Sequence, residues 1–233
     1  MIVLDTTPFY GESGGQVGDK GKLSSKGLEI EVLDTQKIGN FHLHISKIKK
    51  GSINLNDRVK AEINTDRRKA IVSNHSATHL MHSALRNILG EHVQQKGSLV
   101  NEEKLRFDFS HKQKLSESEI VKIEQEVNQA ITSAEDTQII ETSIEESQKL
   151  GAIAFFGEKY GDQVRVLKIA GDYSTELCGG THVKNSSEIK SFKIISETSI
   201  SSGVRRIEAI SGDLAIKDKA DNKTDLLLSL IHI

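Results

Sequence analysis

The chain has 233 residues, of which 36% are hydrophobic and 27% charged, and its formal net charge is −2. The single cysteine excludes an internal disulfide and the N-terminus has no signal-peptide pattern, so a cytoplasmic protein is expected. No run approaches the roughly 20 apolar residues that cross a bilayer, so no membrane partner is expected. The length predicts two domains.

The first part of the chain, residues 1–63, is predicted to be a small β-barrel or meander. Alternating runs such as GLEIEVLD, NFHLHISKI and DRVKAEI are separated by turns that contain glycine or asparagine. Gly14 and Gly15 precede the first of these runs, and paired glycines are typical of a sharp turn with positive φ. The loop lacks the G-x-x-x-x-G-K-[ST] pattern, so phosphate binding of the NTPase kind is not indicated.

A long helix is predicted next. From Asn64 or Thr65, either of which can cap a helix, apolar residues recur at helical spacing until Gly90 supplies a stop. Two strands, HVQQKGSLV and KLRFDFS, should follow. Ser116 and Glu119 then form a capping box for a second helix.

The remaining segments are predicted to complete an α+β fold. They are the strand TQIIETS, the short helix SIEESQKLG and the strands QVRVLKIAG, SFKIISE and VRRIEAIS. We therefore predict a two-layer α/β domain over residues 64–212, with a mostly antiparallel sheet and the long helix against it. Residues 213–233 are a tail whose end, LLLSLIHI, is treated as a truncation or an artefact.

Histidines recur on one face of the predicted long helix. His75 and His79 are four residues apart, about 6 Å along the helix axis, a spacing that suits capture of one metal ion. His82 shares the stripe, but it lies about 10.5 Å along the axis from His75, which is too far for all three to chelate one ion easily. A histidine stripe of this kind is also compatible with a polar surface or a buried polar face.

Cys178 and His182 form a second four-residue step, and the two glycines between them allow a tight turn. Two histidines, a cysteine and a further histidine make a nitrogen and sulfur donor set that favours zinc. A buried structural cysteine is an alternative. A nucleophilic cysteine is less favoured because zinc would bind its thiolate. A zinc peptidase would need H-E-x-x-H, whereas Ser76 follows His75.

The segments NHSATHLMHSALRNIL, VQQKGSLVN, RFDFSH and ELCGGTHV resemble the editing domain of alanyl-tRNA synthetase, which is shared with freestanding alanyl-tRNA editing proteins. TPFYGESGGQVGDKG and SGVRRIEAISG extend the resemblance over about residues 3–212. It implies a hydrolase with one zinc ion per chain that removes serine or glycine wrongly attached to tRNA(Ala). It also implies a fragment of a synthetase, with the remainder of that chain as a partner.

Carried over from the resemblance, the metal ligands fall on His75, His79, Cys178 and His182, and His82 is left out. Further site residues also follow from it: Thr78 facing the aminoacyl group, Gln95 as a catalytic residue lining the hydrolytic pocket, and Gly14 and Gly15 reaching toward the substrate. From the residues alone, Thr78 reads as an ordinary helix-surface threonine and Gln95 as an exposed strand residue. No general base can be named.

The tRNA partner is expected to avoid residues 112–150, where 4 Lys/Arg stand against 9 Asp/Glu, a net charge of −5. Basic residues elsewhere are the predicted RNA-binding residues: Arg67, Arg68, Arg205 and Arg206. Two alternatives to a deacylase acting within a synthetase stay open. One is a non-catalytic tRNA-binding module with a structural zinc, and the other is a freestanding protein that edits in trans.

Overall fold

The computed structural model of the chain describes residues 1–154 and 161–231. The first 63 residues form a five-stranded antiparallel sheet with spatial order β1-β4-β3-β2-β5. Its strands are β1 (Ile2–Val3), β2 (Gly21–Ser25), β3 (Leu28–Ile38), β4 (Phe41–Lys50) and β5 (Lys60–Ile63). Within the described ranges no pairing joins β1 to β5, so the sheet is open and is not the predicted barrel. Closure needs the first and last strands to pair, and β1 has only two residues, both paired with β4.

The predicted long helix is confirmed as α1 (Thr65–Leu89). The side chain of Asn64 accepts a hydrogen bond from the backbone N–H of Arg67, and Gly90 ends the helix with φ of 112°. Every residue from 73 to 85 is buried, including serines, histidines, Asn74 and Thr78. A helix buried on all sides is usually apolar all round. The polar side chains of α1 therefore need partners inside the protein, and these partners build the site described below.

A four-stranded antiparallel sheet and a second helix pack around α1. The sheet has the order β11-β12-β7-β6, and the helix α2 starts at the predicted capping box of Ser116 and Glu119. These elements are β6 (Gln95–Val100), β7 (Leu105–Ser110), α2 (Glu117–Thr132), β11 (Phe192–Ser201) and β12 (Val204–Ser211). The main hydrophobic core lies between them and α1, with Phe107, Phe109 and Phe192 among its largest buried side chains.

A third, three-stranded antiparallel sheet has the order β10-β9-β8. Its elements and the neighbouring helices are β8 (Gln138–Ser143), α3 (Ile144–Lys149), β9 (Gln163–Ile169), β10 (Ser174–Leu177) and α4 (Gly212–Ile231). The predicted α+β class with mostly antiparallel sheets is confirmed. Residues 232–233 of the predicted tail lie outside the described residues. Among the described helices, none combines the length and the apolar character that a membrane span requires.

The loop between β1 and β2 lies against the second sheet. The backbone N–H of Val100 donates to Gly15 O at 2.7 Å, and the N–H of Val17 donates to Val100 O at 3.1 Å. Arg67 at the start of α1 donates to Gly18 O at 2.8 Å. The N-terminal sheet is thus held to the rest of the chain next to α1, at the helix that carries the histidines.

Candidate metal centre and adjoining cavity

Four side chains from two segments converge at one point. His75 and His79 lie one turn apart on α1, and Cys178 and His182 lie in the loop after β10. The Cys178 Sγ lies 3.5 Å from His75 Nε2 and 3.4 Å from His182 Nε2, and His182 Nε2 lies 3.2 Å from His79 Nε2. One ligand atom from each of the four lies within 4.8 Å of all the others, a grouping that could hold a metal ion.

The spacing of these atoms fits a tetrahedral zinc ion. Zinc–nitrogen distances of about 2.0–2.1 Å and zinc–sulfur distances of about 2.3 Å place tetrahedral nitrogens about 3.4 Å apart and a nitrogen and a sulfur about 3.6 Å apart. The separations of 3.2 Å between nitrogens and 3.4–3.5 Å from sulfur to nitrogen agree closely. Three imidazoles and a thiolate are donors that zinc prefers. The donor types and these three separations therefore fit a zinc ion, and all four ligand atoms lie within 4.8 Å of one another.

The outer nitrogens of two of these rings are held by groups on other elements. His75 Nδ1 donates to Gln16 Oε1 at 2.7 Å, and His79 Nδ1 donates to the Glu176 carboxylate. An amide or carboxylate oxygen only accepts, so both protons lie on Nδ1 and both Nε2 atoms face the centre. Glu176 also accepts from His82 Nδ1 at 2.7 Å. His82 therefore contacts the outer carboxylate and does not belong to the ligand group.

Glu176 is a buried, ionised carboxylate. Burial raises its pKa, but the neighbouring His79 and His82 outweigh burial and lower that pKa to about 2. Burial also lowers the pKa of His79, and the charges of Glu176 and Cys178 outweigh this effect and raise it to about 10. The carboxylate and the histidines, all of them buried, thus stabilise one another.

The cysteine is electrostatically prepared to act as a thiolate. Burial raises the pKa of Cys178, but His75 and His79 outweigh burial and hold that pKa well below its usual value. Burial and the charge of His75 lower the pKa of His182 to about 3, which keeps its ring neutral. A thiolate and a neutral imidazole are the forms that coordinate metals, so binding of an ion here would release the additional proton that His79 holds in its absence.

The Cys178–His182 loop is shaped by close contacts. Arg165 Nη1 donates to Cys178 O at 2.7 Å and to Gly180 O at 3.0 Å. A Cβ on Gly180 would lie 2.2 Å from His75 Cε1 and 2.9 Å from Gln16 Oε1, whereas a Cβ on Gly179 would meet no atom of the described residues within 4 Å. Gly180 is required by this close approach, and neither glycine needs the positive φ that a sharp turn would imply.

A cavity of about 440 Å³ is lined by three of the four ligand residues, His75, His79 and Cys178. Thr78 and Gln95 both line it, and so does Gly14. The Thr78 hydroxyl donates to Asn74 O at 2.8 Å, so the lone pairs of its oxygen are left to accept. Gly15 does not line the cavity: its φ is +84°, and a Cβ there would lie 2.6 Å from Ser98 O. Positive φ at both glycines agrees with the sharp-turn interpretation.

Comparisons with known proteins relate the chain to aminoacyl-tRNA synthetases, and the most extensive matches cover nearly all of it. A family model described as "Threonyl and Alanyl tRNA synthetase second additional domain" matches residues 164–208, and one described as "tRNA synthetases class II (A)" matches residues 1–67. The alanine--tRNA ligase of Xanthomonas axonopodis pv. citri (strain 306) is 52% identical over 228 residues, which is 97% of this chain. The chain is a homologue of alanine--tRNA ligases.

Other relatives agree in identity and coverage. The corresponding ligases of Francisella tularensis subsp. novicida (strain U112) and Alkaliphilus metalliredigens (strain QYMF) are 54% and 55% identical, over 227 and 216 residues. The chain spans about a quarter of the length of these relatives, with 26% of the Xanthomonas and Francisella proteins and 24% of the Alkaliphilus protein covered.

The four arginines predicted to bind RNA in this ligase homologue all form ion pairs within the chain. The pairs are Arg67 with Glu102, Arg68 with Asp19, Arg205 with Glu197 and Arg206 with Asp108. Arg206 donates twice to its partner, at 2.6 and 2.8 Å. None of the four lines the cavity, where the basic side chains among the described residues are Lys37, His42, His75, His79, His82 and Arg165. Their role in RNA binding remains a prediction.

Sequence reasoning missed Gln16 and Glu176. Glu176 stands two residues before Cys178 in a short, otherwise apolar or hydroxyl-bearing strand, and a lone acid at a buried strand position is a signal that could have found it. Gln16 directly follows the glycine pair. Its contact with His75 joins residues 59 positions apart, so no local pattern predicts it.

Proposed function

We propose that the chain is the editing segment of an alanine--tRNA ligase, a zinc-dependent deacylase that hydrolyses Ser-tRNA(Ala) and Gly-tRNA(Ala) in the cytoplasm. The observation that carries this proposal is a cysteine and three histidines spaced for zinc beside a cavity lined by Thr78 and Gln95. The ligand would be the acceptor end of tRNA(Ala) with its aminoacyl group inside the cavity. One zinc ion per chain would be held by His75, His79, Cys178 and His182.

The roles of the cavity residues follow from their chemistry. Zinc, when bound, supplies a Lewis acid that polarises an ester carbonyl. Thr78 Oγ accepts the hydrogen bond of a serine hydroxyl, since its own proton is donated to Asn74 O. Gln95 offers both a donor and an acceptor with which to orient the attacking water. Phe107, Val164 and Leu177 supply apolar wall that limits access of further water.

Glu176 lines the cavity, yet we do not assign it as a general base. Its two oxygens accept from His79 and His82, and its pKa is about 2, which makes it a weak proton acceptor. We assign it the positioning of the histidines. A ribose hydroxyl next to the ester is the remaining candidate for proton transfer on the substrate side.

The deciding experiment measures deacylation of Ser-tRNA(Ala), Gly-tRNA(Ala) and Ala-tRNA(Ala) together with zinc content. We expect turnover of the first two, sparing of the third and one zinc per chain. Cys178→Ala combined with His182→Ala should bring both zinc and turnover to near zero. His92→Ala is the matched control, because this exposed histidine contacts His111 and is not in the ligand group. Zinc retained in the double variant would refute the ligand assignment.

A non-catalytic tRNA-binding module is the second candidate, and the ligand set supports it. Four protein ligands form a closed coordination sphere, as in structural zinc sites, whereas catalytic sites usually keep one position open. The same assay separates the candidates: tight binding of Ser-tRNA(Ala) without release of serine would support the module.

A further inference from the structure

Gln16 is a fully buried polar residue in the N-terminal segment, with 0% of its surface exposed. It lies in the loop between β1 and β2, and its two neighbours are hydrogen-bonded to the backbone of Val100 in β6. Burying an amide is unfavourable in free energy unless its polar atoms form hydrogen bonds, so a buried Gln16 must have partners inside the protein.

The partners of Gln16 lie on both halves of the metal centre. Its Oε1 accepts from His75 Nδ1 at 2.7 Å and from the backbone N–H of Thr181 at 2.9 Å. Its Nε2 donates to Thr181 Oγ at 2.8 Å. The backbone donor fixes which end of the amide faces the histidine, because only the oxygen can accept from an N–H. One side chain thus joins a ligand on α1 to the loop that carries Cys178 and His182.

Two glycines pack closely around the Gln16 side chain and the loop that carries it. Gly180 packs so closely that any Cβ there would lie within 3 Å of both the His75 ring and Gln16 Oε1. Gly15 packs against Ser98 O in the same way, which holds the loop that presents Gln16. The position of the amide is therefore set by close backbone packing on two sides.

We propose that Gln16 is a positioning residue of the metal centre, so that the N-terminal segment sets the metal affinity of ligands that belong to the rest of the chain. Gln16 keeps the His75 proton on Nδ1, which leaves His75 Nε2 free to coordinate the metal ion. Its hydrogen bonds to Thr181 also hold the loop in the position that brings the neighbouring His182 to the other ligands. This inference rests on the metal binding in the proposed function and not on deacylation. Outer partners of metal-bound histidines typically change metal affinity by about 10–100-fold.

The test compares two substitutions with opposite expectations in the full chain. Gln16→Met keeps the length and apolar volume but removes the acceptor. Gln16→Glu keeps an acceptor for His75 and Thr181 but introduces a buried charge. Gln36→Met is the matched control, because this amide on β3 contacts Glu12 and Asp34 instead of the metal centre. Dissociation constants for Zn²⁺ and Co²⁺ are measured by competition with a chelator, and thermal unfolding of the metal-free proteins is followed in parallel.

We expect Gln16→Met to weaken binding of both ions about 10–100-fold, and Gln16→Glu to stay within about threefold of the unsubstituted chain. Gln36→Met should not change the affinity. If Gln16 only fills space, the order reverses, with methionine tolerated and glutamate harmful, and the proposal is wrong. Equal affinities in all variants would also overturn it, as would an unsubstituted chain that binds neither ion. Metal binding in the expected order without deacylation would retain this inference and reject the proposed function.

Discussion

Replacing Gly180 by alanine should damage the metal centre more than its small size suggests. The added Cβ would lie 2.2 Å from His75 Cε1 and 2.7 Å from His75 Nδ1. Ordinary contacts begin at 3.4 Å, so the ring or the loop must move by about 1.2 Å. His75 has little freedom to move, because it is buried on α1 and its Nδ1 donates a hydrogen bond to Gln16 Oε1.

The effect of Gly180→Ala can be estimated both for the free energy of unfolding and for the zinc dissociation constant. Overpacking of a buried site typically destabilises a protein by about 1–3 kcal/mol. At this chain length each kcal/mol lowers Tm by roughly 2–4 °C, so a loss of about 2 kcal/mol corresponds to roughly 4–8 °C. The zinc dissociation constant should rise by at least about tenfold, since a ligand displaced by about 1 Å no longer meets the ion at its preferred distance.

The neighbouring glycine provides the control. Gly179 is exposed, and in the part of the chain that the structure describes a Cβ there meets nothing within 4 Å. Gly179→Ala should therefore leave Tm within about 1 °C and zinc affinity within about twofold. Chelator competition and thermal unfolding with and without zinc measure both variants. Equal effects of the two substitutions, or a Gly180→Ala protein with unchanged affinity, would refute the reasoning from close packing.

Three further predictions concern the surrounding groups. Glu176→Gln leaves one acceptor oxygen where two are used and should weaken zinc binding about tenfold in chelator competition; an unchanged dissociation constant would show that the carboxylate is not needed. Thr78→Val should lower deacylation of Ser-tRNA(Ala) about tenfold more than that of Gly-tRNA(Ala), with zinc content unchanged, whereas equal losses would assign Thr78 to the ester or to the helix. RNA binding should weaken steeply with salt, and Arg206→Gln should reduce the slope of log affinity against log salt concentration by about one. An unchanged slope would show that Arg206 does not contact the RNA and serves only its ion pair with Asp108.

Local chemistry determined the parts of this protein that the sequence predicts correctly. The start and end of α1 follow from Asn64 and Gly90, and the start of α2 follows from the capping box at Ser116. These features depend on residues within one or two turns of each other, so a linear pattern contains them. The four-residue steps His75–His79 and Cys178–His182 are local in the same sense, and each brings two donors to one side of its segment.

Only the tertiary structure decided how these local pieces meet. The histidine pair and the cysteine segment are separated by 103 residues between His75 and Cys178, and their approach depends on packing of β10 beside α1. The open N-terminal sheet likewise depends on which strands pair at its edges, which alternation along a strand does not specify. Gln16 and Glu176 acquire their roles from contacts across 59 and 97 residues of sequence. A buried polar group is meaningful only through its partners, and those partners exist only once the chain has folded.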